Sequence, residues 1–280
     1  MRQLKKDLIL NFAPTGVKPT KDWTPHVPIS PDEIIEQVHE AYETGITVVH
    51  LHARDPGTEV PSCDKNIYAK ILSGVRKHCP DLVLGVTTTG RAFPDFERRS
   101  QVLELKPDMA SLTLSSLNFL KDSHTNDPEM IQKLLDKMND FGVHPELEAF
   151  DNGMINYGKY LITKEIIRPP FYWNLLFGNI ATAQPDMMSI GLAINNLPLD
   201  SKYSLAGLGA SQLTVAMHAV ASGLGVRIGL EDNVYFDNKK EVFATNIGLI
   251  KRIHKLADIF ERKILKPKDF GDLGFYNSKK

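Results

Sequence analysis

The 280-residue chain has little cysteine, no excess of either charge and no long apolar run, and each absence removes a class of function. Two cysteines, Cys63 and Cys79, are too few for a disulfide framework and suit a reducing compartment. Lysine and arginine number 33 against 34 aspartates and glutamates, a formal charge of -1, so no basic surface points to nucleic acid. The terminal Lys279-Lys280 pair reads as a solvated tail. No apolar stretch approaches the length of a membrane span. Met1-Arg2-Gln3-Leu4-Lys5-Lys6-Asp7 runs straight into strand-like Leu8-Ile9-Leu10-Asn11-Phe12, without the apolar core and cleavage site of a secretory signal. No Gly-x-Gly-x-x-Gly or Walker sequence follows a strand, so dinucleotide and P-loop chemistry have no support. The expectation is a soluble cytoplasmic protein of one domain, residues 1–280, with a C-terminal extension from about residue 260.

What the chain does have is alternation. Eight short apolar, β-type runs recur: Leu8–Phe12, Thr47–Ala53, Leu82–Thr87, Met109–Leu114, Pro145–Phe150, Phe171–Phe177, Tyr203–Leu208 and Val226–Leu230. Helical signatures lie between them. Ser30-Pro31-Asp32-Glu33 is a capping box opening a helix to about Thr44. Asp127-Pro128-Glu129 opens another, with Met130, Ile131, Leu134, Leu135 and Met138 at helical spacing before Gly142. Ser211–Ser222 reads as a third, and Pro185–Asn196 as a helix because the strand spacing is then even. Apolar strands separated by helices predict a parallel sheet covered on both faces, and eight such units predict closure into a (β/α)8 TIM barrel.

Barrel chemistry sits at the C-terminal ends of the strands, and unusual polar residues gather there. Strand two ends in His50-Leu51-His52-Ala53-Arg54-Asp55, where period-two alternation aims both imidazoles at one face, a grip for zinc or a similar divalent ion. Strand three ends in Thr87-Thr88-Thr89-Gly90, strand four carries Ser111, Thr113 and Ser115, and strand five carries Glu146 and Glu148. Strand eight reads Arg227-Ile228-Gly229-Leu230-Glu231-Asp232-Asn233. A buried Arg227 needs a counter-charge, which an ion-pair network with Glu148 or Asp232 would supply. Closure puts strands two and eight on either side of strand one, so Glu231 is the best third metal ligand after His50 and His52. Such a set leaves open coordination positions. Arg91 and His26 are weaker candidates for the mouth, and His218 reads as helix packing.

Taken together, these stretches resemble the β-keto acid cleavage enzyme family, zinc-dependent (β/α)8 proteins typified by 3-keto-5-aminohexanoate cleavage enzyme. The likeness covers nearly the whole chain. It runs through Ala13-Pro14-Thr15-Gly16, His50–Asp55, Thr88-Thr89-Gly90, Pro107–Leu112, Leu117-Asn118-Phe119, Glu146–Asp151 and Arg227–Asn233. The resemblance implies zinc on His50, His52 and Glu231, with Asp232 as general base tuned and oriented by Arg227 and Glu148. It puts Thr87 or Thr88, Gly90 and Ser111 where the family holds the substrate carboxylate, with Thr113 on the same strand face as Ser111. It implies exchange of a β-keto acid with acetyl-CoA to give acetoacetate and a new acyl-CoA, and a homotetramer. One departure stands out. Where relatives acting on amino-bearing substrates carry an acidic residue after the Thr-Gly turn, this chain has Val17-Lys18-Pro19, so Lys18 should favour a neutral or anionic keto acid.

Two other readings share some of these residues. Amidohydrolase-type barrels also use His-x-His, but on strand one, with further histidines on middle strands that are missing here. A metal-dependent lyase or aldolase without CoA would use the same triad.

Overall fold

A computed structural model describes residues 7–279, in which eight parallel strands close into a barrel. The strands are β1 (Leu10–Phe12), β2 (Val48–Leu51), β3 (Val83–Val86), β4 (Met109–Thr113), β5 (His144–Ala149), β6 (Tyr172–Phe177), β7 (Lys202–Gly207) and β8 (Gly225–Ile228). They follow one another around the ring in chain order, and β1 pairs with both β2 and β8, through Asn11 opposite Val48 and Arg227. Around them run α1 (Pro31–Thr44), α2 (Lys65–His78), the short α3 (Phe96–Ser100), α4 (Pro128–Phe141), α5 (Asn152–Thr163), α6 (Met187–Asn196), α7 (Ser211–Ala221) and α8 (Asn246–Ile259). The Ser30/Glu33 capping box is formed in full, and Asp127 caps α4 by accepting from the Met130 N–H. Met1–Lys6 and Lys280 lie outside the described residues, and with them most of the N-terminal segment and half of the expected tail pair. Lys279 is exposed, yet its ammonium donates to the carbonyls of Asn139 and Asp140. Among the described residues, no helix is long and apolar enough to cross a membrane.

Three strand ends differ from the sequence expectation by two residues, each for a local reason, and the others by one at most. Leu8 bridges to Ile264 near the C-terminus rather than joining β1. The second run stops at Leu51, because Ala53-Arg54 turn away and pair antiparallel with Pro61-Ser62. Buried Arg54 pins that hairpin, donating from Nε to Glu59 O at 2.6 Å and from Nη1 to Gly16 O at 2.9 Å. The eighth strand stops at Ile228, where Gly229 passes so close to Ala13 that a Cβ there would sit 1.9 Å from the Ala13 carbonyl oxygen.

The lower end of the barrel is stoppered. After α8, the chain forms α9 (Pro267–Phe270) and a final turn through Phe275, and both phenylalanines are fully buried against Ile9, Val48, Val83, Met109 and Tyr172. Phe270 and Phe275 stack at 4.4 Å between centroids, and burial of each ring contributes about 1.5–3 kcal/mol. With that end closed, the strands' C-terminal ends form the open rim.

Candidate active site

Inward-facing side chains stack in layers above the aromatic stopper. Along β2 and the residue just beyond it, Val48 faces the stopper, His50 the next layer and His52 the rim, as period two requires. The middle layer is a polar network unusual for a barrel core. Glu146 accepts from Asn11 Nδ2 at 2.8 Å and from the Asn174 amide, and Tyr172 donates to Ser204 Oγ at 2.8 Å. The other oxygen of Glu146 faces His50 Nδ1 at 2.7 Å. In the neutral ring that metal binding requires, that contact places the proton on Nδ1 and turns the Nε2 lone pair toward the rim.

At the rim, His50 Nε2 and His52 Nε2 lie 3.1 Å apart, and Glu231 Oε1 is 3.2 Å from His52 Nε2 and 3.9 Å from His50 Nε2. Metal bonds of about 2.0–2.1 Å at tetrahedral angles separate ligands by about 3.3 Å, so three such donors fit a divalent ion such as zinc. The second Glu231 oxygen is buried and has no hydrogen-bond partner among the described residues. This is the one group of metal-ligand geometry among the described residues, and no histidine stands at the ends of β6 or β7. Glu231 reaches the site from the loop after β8, and Gly16 makes room for it. Gly16 has φ of 65°, and a Cβ there would meet Glu231 Cγ at 2.5 Å.

Burial and charge act against one another throughout. Burial alone would lower the pKa of His50, but the carboxylates of Glu146 and Glu231 outweigh it and push it up to about 9. Burial holds His52 below its ordinary value, leaving a neutral imidazole. Burial would also raise Glu231, yet His52 and Arg227 hold it well below the usual carboxylate range. Arg227 donates from Nε to Asp232 Oδ2 at 3.0 Å and from Nη2 to Glu231 Oε1 at 2.6 Å, and its Nη1 lies 3.6 Å from Glu148 Oε1. Burial nevertheless wins at Asp232 and Glu148, and both carboxyls are raised.

These groups line a cavity of about 580 Å³ at the rim, and the other predicted positions divide around it. Thr87, Thr113 and Lys18 line it, and Thr113 Oγ1 donates to Glu148 at 2.7 Å. Lys18 forms an ion pair with Asp122, which also receives Arg91 Nη2 at 2.8 Å. Thr88 and Ser111 bind each other, Oγ1 of Thr88 donating to the Ser111 carbonyl at 2.6 Å and its N–H to Ser111 Oγ at 3.1 Å. Gly90 packs against the buried guanidinium of Arg99, where a Cβ would meet Nη1 at 2.8 Å. His26 lies in an exposed loop and His218 on α7, both outside the cavity wall. Sequence reasoning did not identify Glu146 as the partner of His50, nor His124, Phe119 and Phe150 as wall residues.

Comparison with known proteins identifies the family. The model of the beta-keto acid cleavage enzyme family matches residues 7–272. A 3-keto-5-aminohexanoate cleavage enzyme of Acetoanaerobium sticklandii is 33% identical over 265 residues, 94% of this chain and 96% of that protein. A 3-oxoadipate:acetyl-CoA acetyltransferase of Cupriavidus necator is 34% identical over 260 residues, 91% of this chain and 90% of its own. Among solved structures, ObcA in binary complex with oxaloacetate superposes with a TM-score of 0.78 at 19% identity, covering 90% of this chain and 68% of that one. That likeness speaks for the barrel. The family match and the relatives speak for more: the chain is an enzyme and belongs to the beta-keto acid cleavage enzyme family.

Proposed function

We propose that the enzyme exchanges a β-keto acid with acetyl-CoA, giving acetoacetate and a new acyl-CoA, at a zinc site formed by His50, His52 and Glu231. The observation that carries this reading is the convergence of those three donors beside Asp232, a buried carboxyl held by Arg227. Zinc bound there would act as a Lewis acid on the keto oxygen, worth several kcal/mol to a developing enolate.

The protein's own residues account for the rest. Asp232 takes the proton from the carbon between keto and carboxylate groups, and its raised pKa makes it a stronger base than an exposed aspartate. The enolate carbon then attacks the acetyl thioester carbonyl and CoA leaves as thiolate. Return of that thiolate to the original keto carbon breaks the carbon–carbon bond, forming the new acyl-CoA, and acetoacetate recovers the proton. Arg227 orients Asp232 through two hydrogen bonds, and Glu148 steadies Arg227 from the other side. Thr87 and Thr113, with Thr88 and Gly90 shaping the adjoining loop and Ser111 of β4 holding Thr88, would receive the substrate carboxylate. Lys18 at the cavity wall favours a neutral or anionic keto acid. Glu in its place should shift preference toward cationic keto acids, and an unchanged ranking would remove Lys18 from selectivity.

The enzyme is further proposed to be a cytoplasmic homotetramer. Exposed Met187, Met188 and Leu192 on α6 supply apolar surface of the kind subunits bury, and light scattering on the purified protein tests the assembly. Incubation with acetyl-CoA and a panel of β-keto acids tests the reaction. Acetoacetate release is expected, and no product from any member would overturn it.

A further inference from the structure

Buried polar atoms almost always have partners, and the exceptions call for a reason. Four of them lie on the wall of this one cavity and have no hydrogen-bond partner among the described residues: Glu231 Oε2, Arg227 Nη1, Arg91 Nε and His124 Nε2. The first two belong to the centre already described. The other two come from the loops after β3 and β4, and β4 lies opposite β8 in a ring of eight strands. The site therefore has a second set of unanswered polar groups across its mouth.

That second set has a definite chemistry. Arg91 lies 3.8 Å over the ring of Phe119 and pairs with Asp122, which fixes its plane while leaving Nε unused. His124 is only 3% exposed, so its unpartnered nitrogen cannot be dismissed as solvated. Burial, with Arg99 and Arg91 nearby, pulls its pKa down to about 3, so the ring is neutral at working pH and offers one N–H. Beside it Arg91 and Lys18 share the single carboxylate of Asp122, while Arg99 faces Asp127 and Asp95. Phe119, Phe150 and Leu176 supply apolar wall in the same cavity.

We propose that Arg91 and His124 form a second anchor of the substrate pocket, which selects a β-keto acid whose chain ends in a carboxylate over one ending in methyl or ammonium. The proposal rests on the reading that a β-keto acid binds at the triad, and it names the far end of that substrate. A carboxylate has an oxygen for each unused N–H, and the excess of Arg91 and Lys18 over their one shared carboxylate, Asp122, offsets its desolvation. A methyl end would leave both donors buried and unpaired, and an ammonium would face like charge.

Equilibrium binding separates this idea from the chemistry. Adipate, hexanoate and 6-aminohexanoate are titrated calorimetrically into the full-length protein without acetyl-CoA. Adipate should bind about tenfold or more tightly than either competitor, as two charge-assisted hydrogen bonds imply. His124→Phe and Arg91→Met should each remove most of that advantage and leave hexanoate within about twofold. His124→Gln, which keeps a donor, should retain part of it. Melting curves verify folding, and if His124→Phe does not fold, Arg91→Met decides. Equal affinities in the wild type, or equal weakening of adipate and hexanoate in the variants, would overturn the anchor. An adipate preference without acetoacetate release would instead sink the proposed reaction alone.

Discussion

Replacing Glu146 with Gln changes one oxygen to an amide at a site fully enclosed in the barrel, and the network dictates how the new side chain must sit. Asn11 and Asn174 both donate to Glu146 Oε1, so the Gln carbonyl belongs there and its NH2 must face His50 Nδ1. An NH2 can only donate, which forces Nδ1 to accept and moves the imidazole proton to Nε2, the atom 3.1 Å from His52 that the metal needs. Loss of such a supporting carboxylate costs about 10- to 100-fold in metal affinity, or about 1.4–2.7 kcal/mol. Gln has the shape of Glu and keeps the acceptor for both asparagines, so the fold should persist. Zinc competition against a chelator of known affinity reads the loss. Nitrogen chemical shifts of His50 in the metal-free protein, recorded above the pKa of about 9 so that the ring is neutral, should report Nδ1–H in the wild type and Nε2–H in the variant. A folded variant that binds zinc within about twofold of the wild type would refute the tautomer argument.

Three further outcomes are expected. Glu231→Ala should abolish metal retention, read as metal per chain in the purified protein, and wild-type stoichiometry would remove Glu231 from the ligand set. Asp232→Asn should lower kcat by about 10²–10⁴ with metal content unchanged, and a loss of under about tenfold would mean another group takes the proton. His124 ties stability to pH: the unfolded chain takes a proton near the ordinary value of 6.5, while the fold refuses it until about pH 3. Stability from this residue is therefore intact above pH 6.5 and falls by about 1.4 kcal/mol per unit below it. His124→Gln should narrow the gap between melting temperatures at pH 7 and pH 4.5, and an unchanged gap would show that His124 does not set it.

Alternation along the strands made His50, His52, Glu146, Glu148 and Arg227 legible as inward-facing, because period two is a property of the local backbone. Closure then brought β2 and β8 to the two sides of β1, as the strand count required. What stayed illegible depended on register and loops. No local signal says that Glu146, on β5, meets His50, on β2, across the barrel interior. His124 reaches the cavity from a short hairpin, Leu117-Asn118 with Ser123-His124, whose geometry no periodicity marks. The His-x-His-Ala-Arg-Asp run also mixes two jobs. Its histidines face the site, but Arg54 ties two loops together and Asp55 accepts from Gly57 and Thr58 to shape a turn. Polar residues beside a site can thus serve the loop that carries it, and sequence pattern does not separate the two.

The charge inventory of the barrel ties the parts of the site to one another. Glu146, Glu148, Glu231 and Asp232 place four buried carboxyls around a single guanidinium, Arg227. Four full negative charges against one positive would be prohibitively costly at this depth. The protein answers with protons, which is why His50 is pushed up to about 9 and why Asp232 and Glu148 are raised while Glu146 and Glu231 stay ionised. The two carboxylates that hold their charge are those touching histidine: Glu146 supports His50 from behind, and Glu231 faces both rings. The two that climb lie farther around Arg227, where a carboxyl able to take a proton is useful as a base. A divalent cation at the triad adds to the positive side of this balance at the point where the imidazoles and Glu231 converge. Metal binding and base strength at Asp232 are therefore one electrostatic problem, shared through Arg227.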